Sequence, residues 1–198
     1  MAERSGAAGA TGLIGADGWH PRARRVVSPN QDARPPGSGV ELLVIHNISL
    51  PPGRFGGGAI EALFTNQIDP AGHPSFESLA GLRVSAHFLI RRDGALLQFV
   101  SCARRAWHAG VSSWRGRERC NDFSIGVELE DTDFKPYTER QYRRLASLAR
   151  LLRDSYPQLS GVAGHEEIAP GRKTDPGPAF EWDRFVRQAG WPAGARRV

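Results

Sequence analysis

Residues 123–130 read FSIGVELE and residues 41–47 read ELLVIHN, and these two stretches decide the fold. The first alternates strictly. Phe123, Ile125, Val127 and Leu129 fall on one side of an extended chain, and Ser124, Gly126, Glu128 and Glu130 on the other. The second carries a continuous apolar run from Leu42 to Ile45, as in a strand covered on both faces, with His46 where the run ends. Outward from these, residues 83–101, RVSAHFLIRRDGALLQFVS, predict a hairpin: two apolar runs flank Asp93-Gly94, a dipeptide suited to positive φ in a tight turn. A short helix is expected from Ala59 to Phe64. A longer one starts at Thr138, with Gln141 three residues on as a capping box. Tyr142, Leu145, Ala149 and Leu152 recur at helical spacing until about Ser155, and Pro157 ends the run. Residues 65–82 read as a long irregular stretch, the kind of loop that is functional or mobile. The expected architecture is a single α/β domain, a central mixed β-sheet flanked by helices.

Composition narrows the function. The 198 residues suffice for one substantial core, and no apolar run approaches the roughly 18 residues a membrane span needs. Residues 1–18 are rich in glycine and alanine and lack the apolar stretch of about 7–15 residues of a secretory signal. The expected boundaries are a disordered tail over 1–18, the domain over 19–190 and a C-terminal tail over 191–198, in a cytoplasmic protein. Two cysteines, Cys102 and Cys120, make no disulfide framework and match no zinc ribbon. The net charge of +5 rests on 24 arginines against two lysines. A basic balance can serve nucleic acid, but the arginines are scattered, with no basic stripe on any one helix. Acidic small molecules suit the guanidinium fork equally well.

Residues 164–180, GHEEIAPGRKTDPGPAF, concentrate titratable side chains among prolines and glycines that forbid a continuous helix. The position four after His165 is Ala169, which excludes the His-Glu-x-x-His zinc-protease helix. Among six histidines, His87 reads as packed within the hairpin, while His20 and His73, beside prolines, read as surface residues. His46 stands apart, at the end of a buried strand and before a glycine-rich loop, where α/β sites gather. With His165 and Asp175 it offers two imidazoles and one carboxylate, a catalytic zinc set that leaves a position for water. Glu128 is a candidate general base, with Gly126 beside it leaving room for another group to approach. Periodicity alone allows Glu130 that role too, and allows Ser124, Glu128 and Glu130 simply to face solvent. Lys173, two residues from Asp175, could face the oxygen of an attacked carbonyl.

Six blocks in order, LLVIHNISLPPGRFGG (42–57), ALFTNQIDP (62–70), LRVSAHFLIRRDG (82–94), RAWHAGVS (105–112), GRERCNDFSIGVELE (116–130) and GHEEIAPGRKTDPGPAF (164–180), closely resemble AmpD-type 1,6-anhydro-N-acetylmuramyl-L-alanine amidases. The similarity runs from about Gly18 to Trp182. It implies the fold shared with peptidoglycan-recognition proteins, and hydrolysis of the amide between the lactyl group of anhydro-N-acetylmuramic acid and the L-alanine of the stem peptide. It further implies Zn2+ on His46, His165 and Asp175, with Glu128, not Glu130, and Lys173 catalytic. Arg119 and Arg83 are implied to meet stem-peptide carboxylates, Asn47, Phe64 and Trp107 to contact sugar or peptide, and His108 to orient the pocket. The implied setting is cytoplasmic peptidoglycan recycling by a monomer acting on small anhydromuropeptides, with no nucleic-acid or membrane partner and a knock-on effect on β-lactamase induction. Two rival classes are a peptidoglycan-binding module without activity and a cysteine hydrolase built on Cys120.

Overall fold

The alternating segment forms a central strand of a six-stranded sheet. In this computed structural model, which describes residues 13–192 and 194–195, the strands are β1 (Arg24–Arg25), β2 (Gln31–Ala33), β3 (Leu42–Ile48), β4 (Phe88–Ile90), β5 (Leu96–Gln98), β6 (Arg104–Ala106), β7 (Ser113–Trp114), β8 (Arg117–Glu118), β9 (Ser124–Glu130) and β10 (Gly161–Gly164). The helices are α1 (Ala59–Phe64), α2 (Glu139–Ser155), α3 (His165–Ile168) and α4 (Trp182–Ala189). The main sheet runs β1-β5-β4-β9-β3-β10. Only the β4–β5 hairpin is antiparallel within it, so the sheet is mixed, as expected. Gly94 in the hairpin turn has φ +85°, which explains the glycine.

Strict alternation on β9 has a different meaning from half-exposure. One face, with Leu43, Ile45, Ile125, Val127 and Leu129, packs on Tyr142, Leu145 and Leu152 of α2 and Phe185 of α4. Each such fully buried side chain contributes about 1.5–3 kcal/mol of transfer free energy. The other face is covered as well, by α1 and by the chain around Trp107–Phe123. Ser124 and Glu130 are therefore buried, not solvent-facing. Glu130 is held by Arg91 at 2.8 Å and by the Gly56 amide at 2.7 Å, so it serves as an anchor for the glycine-rich loop.

Helix α2 begins as its sequence dictates: Thr138 and Gln141 form the reciprocal capping box. Contrary to expectation, this helix carries five arginines, Arg140, Arg143, Arg144, Arg150 and Arg153. Three of them donate to the carbonyls of Gly94, Gln188 and Gly190, so they bind neighbouring elements of the chain.

Described residues of both expected tails belong to the core. Ile14 belongs to the main core, and its amide donates to Ser155 Oγ at 3.0 Å. At the other end Trp191 and Ala195 are buried in the same core. Residues 1–12 of the expected tail lie outside the described residues. His20, expected at the surface, is buried: its backbone amide donates to Gln98 Oε1, and its Nδ1 accepts from the Arg22 amide.

Strand β10 and helix α4 have no counterpart in the sequence expectation. The segment Gly161-Val-Ala-Gly164 becomes a strand by pairing in parallel with β3. Its glycine at 161 lies under the Trp114 indole, where a Cβ would sit 2.3 Å from the ring. Gly161→Ala should therefore destabilise the fold by about 1–3 kcal/mol. A urea-denaturation midpoint equal to wild type would show that Trp114 does not press on this strand.

Candidate active site

Strand register assembles the site. In the β3–β9 ladder His46 is the direct partner of Glu128. Because β3 runs on to Ile48, His46 lies inside the strand and not at its end. In the β10–β3 ladder Gly164 pairs with Ile45, so the next residue, His165, emerges beside His46. That is how two histidines 119 positions apart meet. The segment expected to be a loop starts with one helical turn, α3, capped by Glu167, whose Oε2 accepts from the Gly164 amide at 2.6 Å. The chain then returns. The Glu166 amide donates to the Asp175 carbonyl at 2.9 Å. The Pro176 carbonyl accepts from Tyr137 Oη at 2.7 Å and from Asn47 Nδ2 at 3.1 Å, which fixes the corner bearing Asp175.

Three ligand-type atoms converge there. His46 Nδ1 lies 3.0 Å from His165 Nδ1 and 3.0 Å from Asp175 Oδ2, and His165 Nδ1 lies 3.1 Å from Asp175 Oδ2. A tetrahedral zinc with bonds of about 2.0–2.1 Å holds its ligand atoms about 3.3 Å apart, so this near-equilateral triangle fits such an ion. The chemistry of the donors agrees. His165 Nε2 is 3.1 Å from the Ala109 carbonyl, which can only accept. Neutral His165 therefore has its proton on Nε2 and a lone pair on Nδ1, pointing at a carboxylate oxygen and a second imidazole nitrogen. Burial and the neighbouring His165 push the His46 pKa down to about 4, so that ring is neutral at pH 7. Two imidazoles and a carboxylate aimed at one point form a donor set suited to a divalent cation.

Glu128 adjoins this triangle. Burial and then the Asp175 charge push its carboxyl well above the ordinary value, with Lys173 pulling the other way. Its Oε2 is buried and has no hydrogen-bond partner among the described residues. A carboxylate raised toward neutrality and free to take a proton has the character of a general base. Glu128 and Lys173 share a cavity of about 280 Å³ with the triad, and Asn47, Phe64 and Trp107 line it too. Phe64 is buried and stacks edge-on against Phe99, 5.0 Å away, so it forms a firm wall. Asn47 also donates to Asp133 Oδ1 at 2.8 Å. The structure leaves Arg119 and Arg83 outside this cavity. Arg119 borders a separate cleft with Ser112 and Arg172, and its Nε faces Asp122 at 3.3 Å. Arg83 is exposed, between Leu82 and Val84 of the cavity wall.

Sequence reasoning gave His108 only an orienting role taken from the resemblance, and missed its partners. Its Nδ1 is 2.9 Å from His46 Nε2 and its Nε2 is 3.1 Å from Ser124 Oγ. The room left by Gly126 is taken by this ring, since a Cβ at 126 would sit 2.5 Å from His108 Cγ. Arg172 and Asn121 were missed as well. Arg172 Nη2 donates to the carbonyls of Ala109 and Val111, and Asn121 Oδ1 accepts from the amides of His108 and Ala109. Cys120 is fully buried and burial raises its thiol pKa, opposite to what a thiolate nucleophile requires.

A parallel-rich mixed sheet thus carries a His-His-Asp triangle that could hold a metal ion, with Glu128 beside it, and comparison with known proteins places the chain. Residues 36–178 match the family described as N-acetylmuramoyl-L-alanine amidase, and the chain belongs to that family. It is 61% identical over 169 residues to the 1,6-anhydro-N-acetylmuramyl-L-alanine amidase AmpD of Escherichia coli K12, covering 85% of this chain and 92% of that protein. A crystal structure of a selenomethionine AmpD derivative superposes with a TM-score of 0.85 at 58% identity, over 87% of this chain and 97% of the other. The Escherichia coli amidase AmiD, in complex with anhydro-N-acetylmuramic acid-L-Ala-D-γ-Glu-L-Lys, matches with a TM-score of 0.58 at 27% identity, over 92% and 67%. Within the family, the chain is an amidase of the AmpD type. No described helix is long and apolar enough to cross a membrane.

Proposed function

We propose that this amidase hydrolyses the amide between the lactyl group of 1,6-anhydro-N-acetylmuramic acid and the L-alanine of the stem peptide, using zinc held by His46, His165 and Asp175. The observation that carries the reading is the triangle of Nδ1, Nδ1 and Oδ2 atoms with edges of 3.0–3.1 Å beside the unpartnered Glu128. Zinc in a three-ligand protein site supplies Lewis acidity that activates water near neutral pH and polarises a carbonyl. Glu128 takes the proton of the attacking water as the new C–O bond forms at the lactyl carbonyl. It then gives that proton to the alanine nitrogen as the C–N bond breaks. The Lys173 ammonium, in the same cavity, faces the negative charge that develops on the carbonyl oxygen. Phe64 and Trp107 supply apolar walls to sugar or peptide, and Asn47 contributes a polar edge. Arg119 and Arg83, outside the cavity, are assigned to carboxylates farther along the stem peptide, a role suited to the guanidinium fork.

The same reading assigns the enzyme to peptidoglycan recycling in the cytoplasm, as a monomer. The names and bound substrates of its relatives support the choice of substrate, and two free, buried cysteines accord with a reducing compartment. The test is mass spectrometry of a purified anhydromuropeptide incubated with the protein. The expected products are the free anhydro sugar and a stem peptide with an L-alanine amino terminus. Substrate that stays bound but uncut would instead mark a binding module.

A further inference from the structure

We propose that His108 and Ser124 form a relay that fixes the tautomer of His46, turning its Nδ1 lone pair toward His165 and Asp175. The assignment follows from the Cys120 carbonyl, a group that can only accept. Ser124 Oγ is within hydrogen-bond distance of the Cys120 carbonyl, so the hydroxyl proton points to that oxygen. The hydroxyl has no second proton, so at 3.1 Å it accepts from His108 Nε2–H. Neutral His108 then has a bare Nδ1, which accepts from His46 Nε2–H at 2.9 Å. His46 Nδ1 is thereby left with its lone pair.

Three further observations show that the relay is built into the fold. Gly126 is the only residue type that fits under the His108 ring. Asn121 Oδ1 takes the backbone amides of His108 and Ala109, which holds the ring's chain segment in place. The carbonyls that end the two wires, Cys120 for His46 and Ala109 for His165, belong to the same stretch of chain, so one segment polarises both histidines. His108 is thus a positioning residue. If its tautomer reversed, its Nδ1–H would face His46 Nε2 and drive the His46 proton onto Nδ1, into the triangle.

The inference rests on the zinc reading for its consequence but not for its geometry, and the experiment separates the two. In nitrogen-15 spectra of the metal-free wild type, His46 should show a protonated Nε2 and a bare Nδ1. Ser124→Ala should shift His46 toward the opposite tautomer. Zinc affinity, read by competition with a fluorescent chelator, should fall about 10–100-fold in His108→Leu. His108→Asn should come nearer to wild type, because its amide oxygen can stand where Nδ1 stands. A His46 proton found on Nδ1 in the metal-free wild type, or a well-folded His108→Leu protein with wild-type zinc affinity, would overturn the relay. A wild type with the expected tautomer that binds no zinc supports the relay and overturns the zinc reading instead.

Discussion

Replacing Glu128 with alanine leaves zinc bound and lowers turnover of an anhydromuropeptide by about 10²–10⁴-fold, the range for loss of a general base. The variant should also be at least as stable as wild type. The Glu128 carboxyl is buried, its Oε2 has no partner, and its charged form is disfavoured by burial and by Asp175. Removing it breaks no hydrogen bond made by that oxygen and relieves an electrostatic cost. Stability retained at a catalytic position against lost turnover is the trade-off expected where a site is strained for function. The checks are steady-state kinetics, metal content and a melting curve on the metal-free protein. A variant that kept its turnover would move the proton transfer to another group. Glu130, the alternative left open by periodicity, is already committed to Arg91 and the Gly56 amide.

Replacing His165 with alanine has the second large effect and a different signature. It removes one corner of the triangle and the imidazole that faces both His46 and Asp175. Dialysed protein should retain almost no zinc, and activity should vanish with it, because ligand loss costs the metal itself. Glu128→Ala and His165→Ala thus split the site into proton transfer and metal retention. Elemental analysis of the two variants side by side reads the split. Full zinc content in His165→Ala would mean that the ion sits elsewhere.

How much of this was legible beforehand depends on how local each signal is. The β9 alternation, the hairpin turn at Asp93-Gly94 and the Thr138–Gln141 capping box are written within a few residues, and each appears where expected. Strand β10 carries no such signal. Gly161-Val-Ala-Gly164 is extended because β3 pairs with it and Trp114 covers it, and both partners are remote in sequence. Helix α4 went unread although Phe185 and Ala189 bury one face, since it is only two turns long and follows a proline-rich loop. Ile14 and Trp191, inside the expected tails, dock on the core as isolated apolar residues, which composition cannot see.

The site shows the same division. Residues 164–180 announced a concentration of charge, but nothing local ties His165 to His46. That pairing is a consequence of β10 register; the sequence offers it only as a chemically suitable ligand set, which the resemblance then implies. The polar face of β9 could be read as solvated or catalytic. Cover from the segment around Trp107–Phe123 decides for burial, and with burial come the raised Glu128 and the anchored Glu130. His108 had one usable sign, the glycine at 126 on the strand beside it, and only the packed structure shows which ring fills that space.

The central claim is that amide hydrolysis here depends on an ion held by His46, His165 and Asp175. Its most direct test is the rate of stem-peptide release before exhaustive chelation, after it, and after stoichiometric zinc is returned. The account predicts full activity, then essentially none, then recovery with one zinc per chain. Full activity in protein shown to be free of metal would contradict it outright.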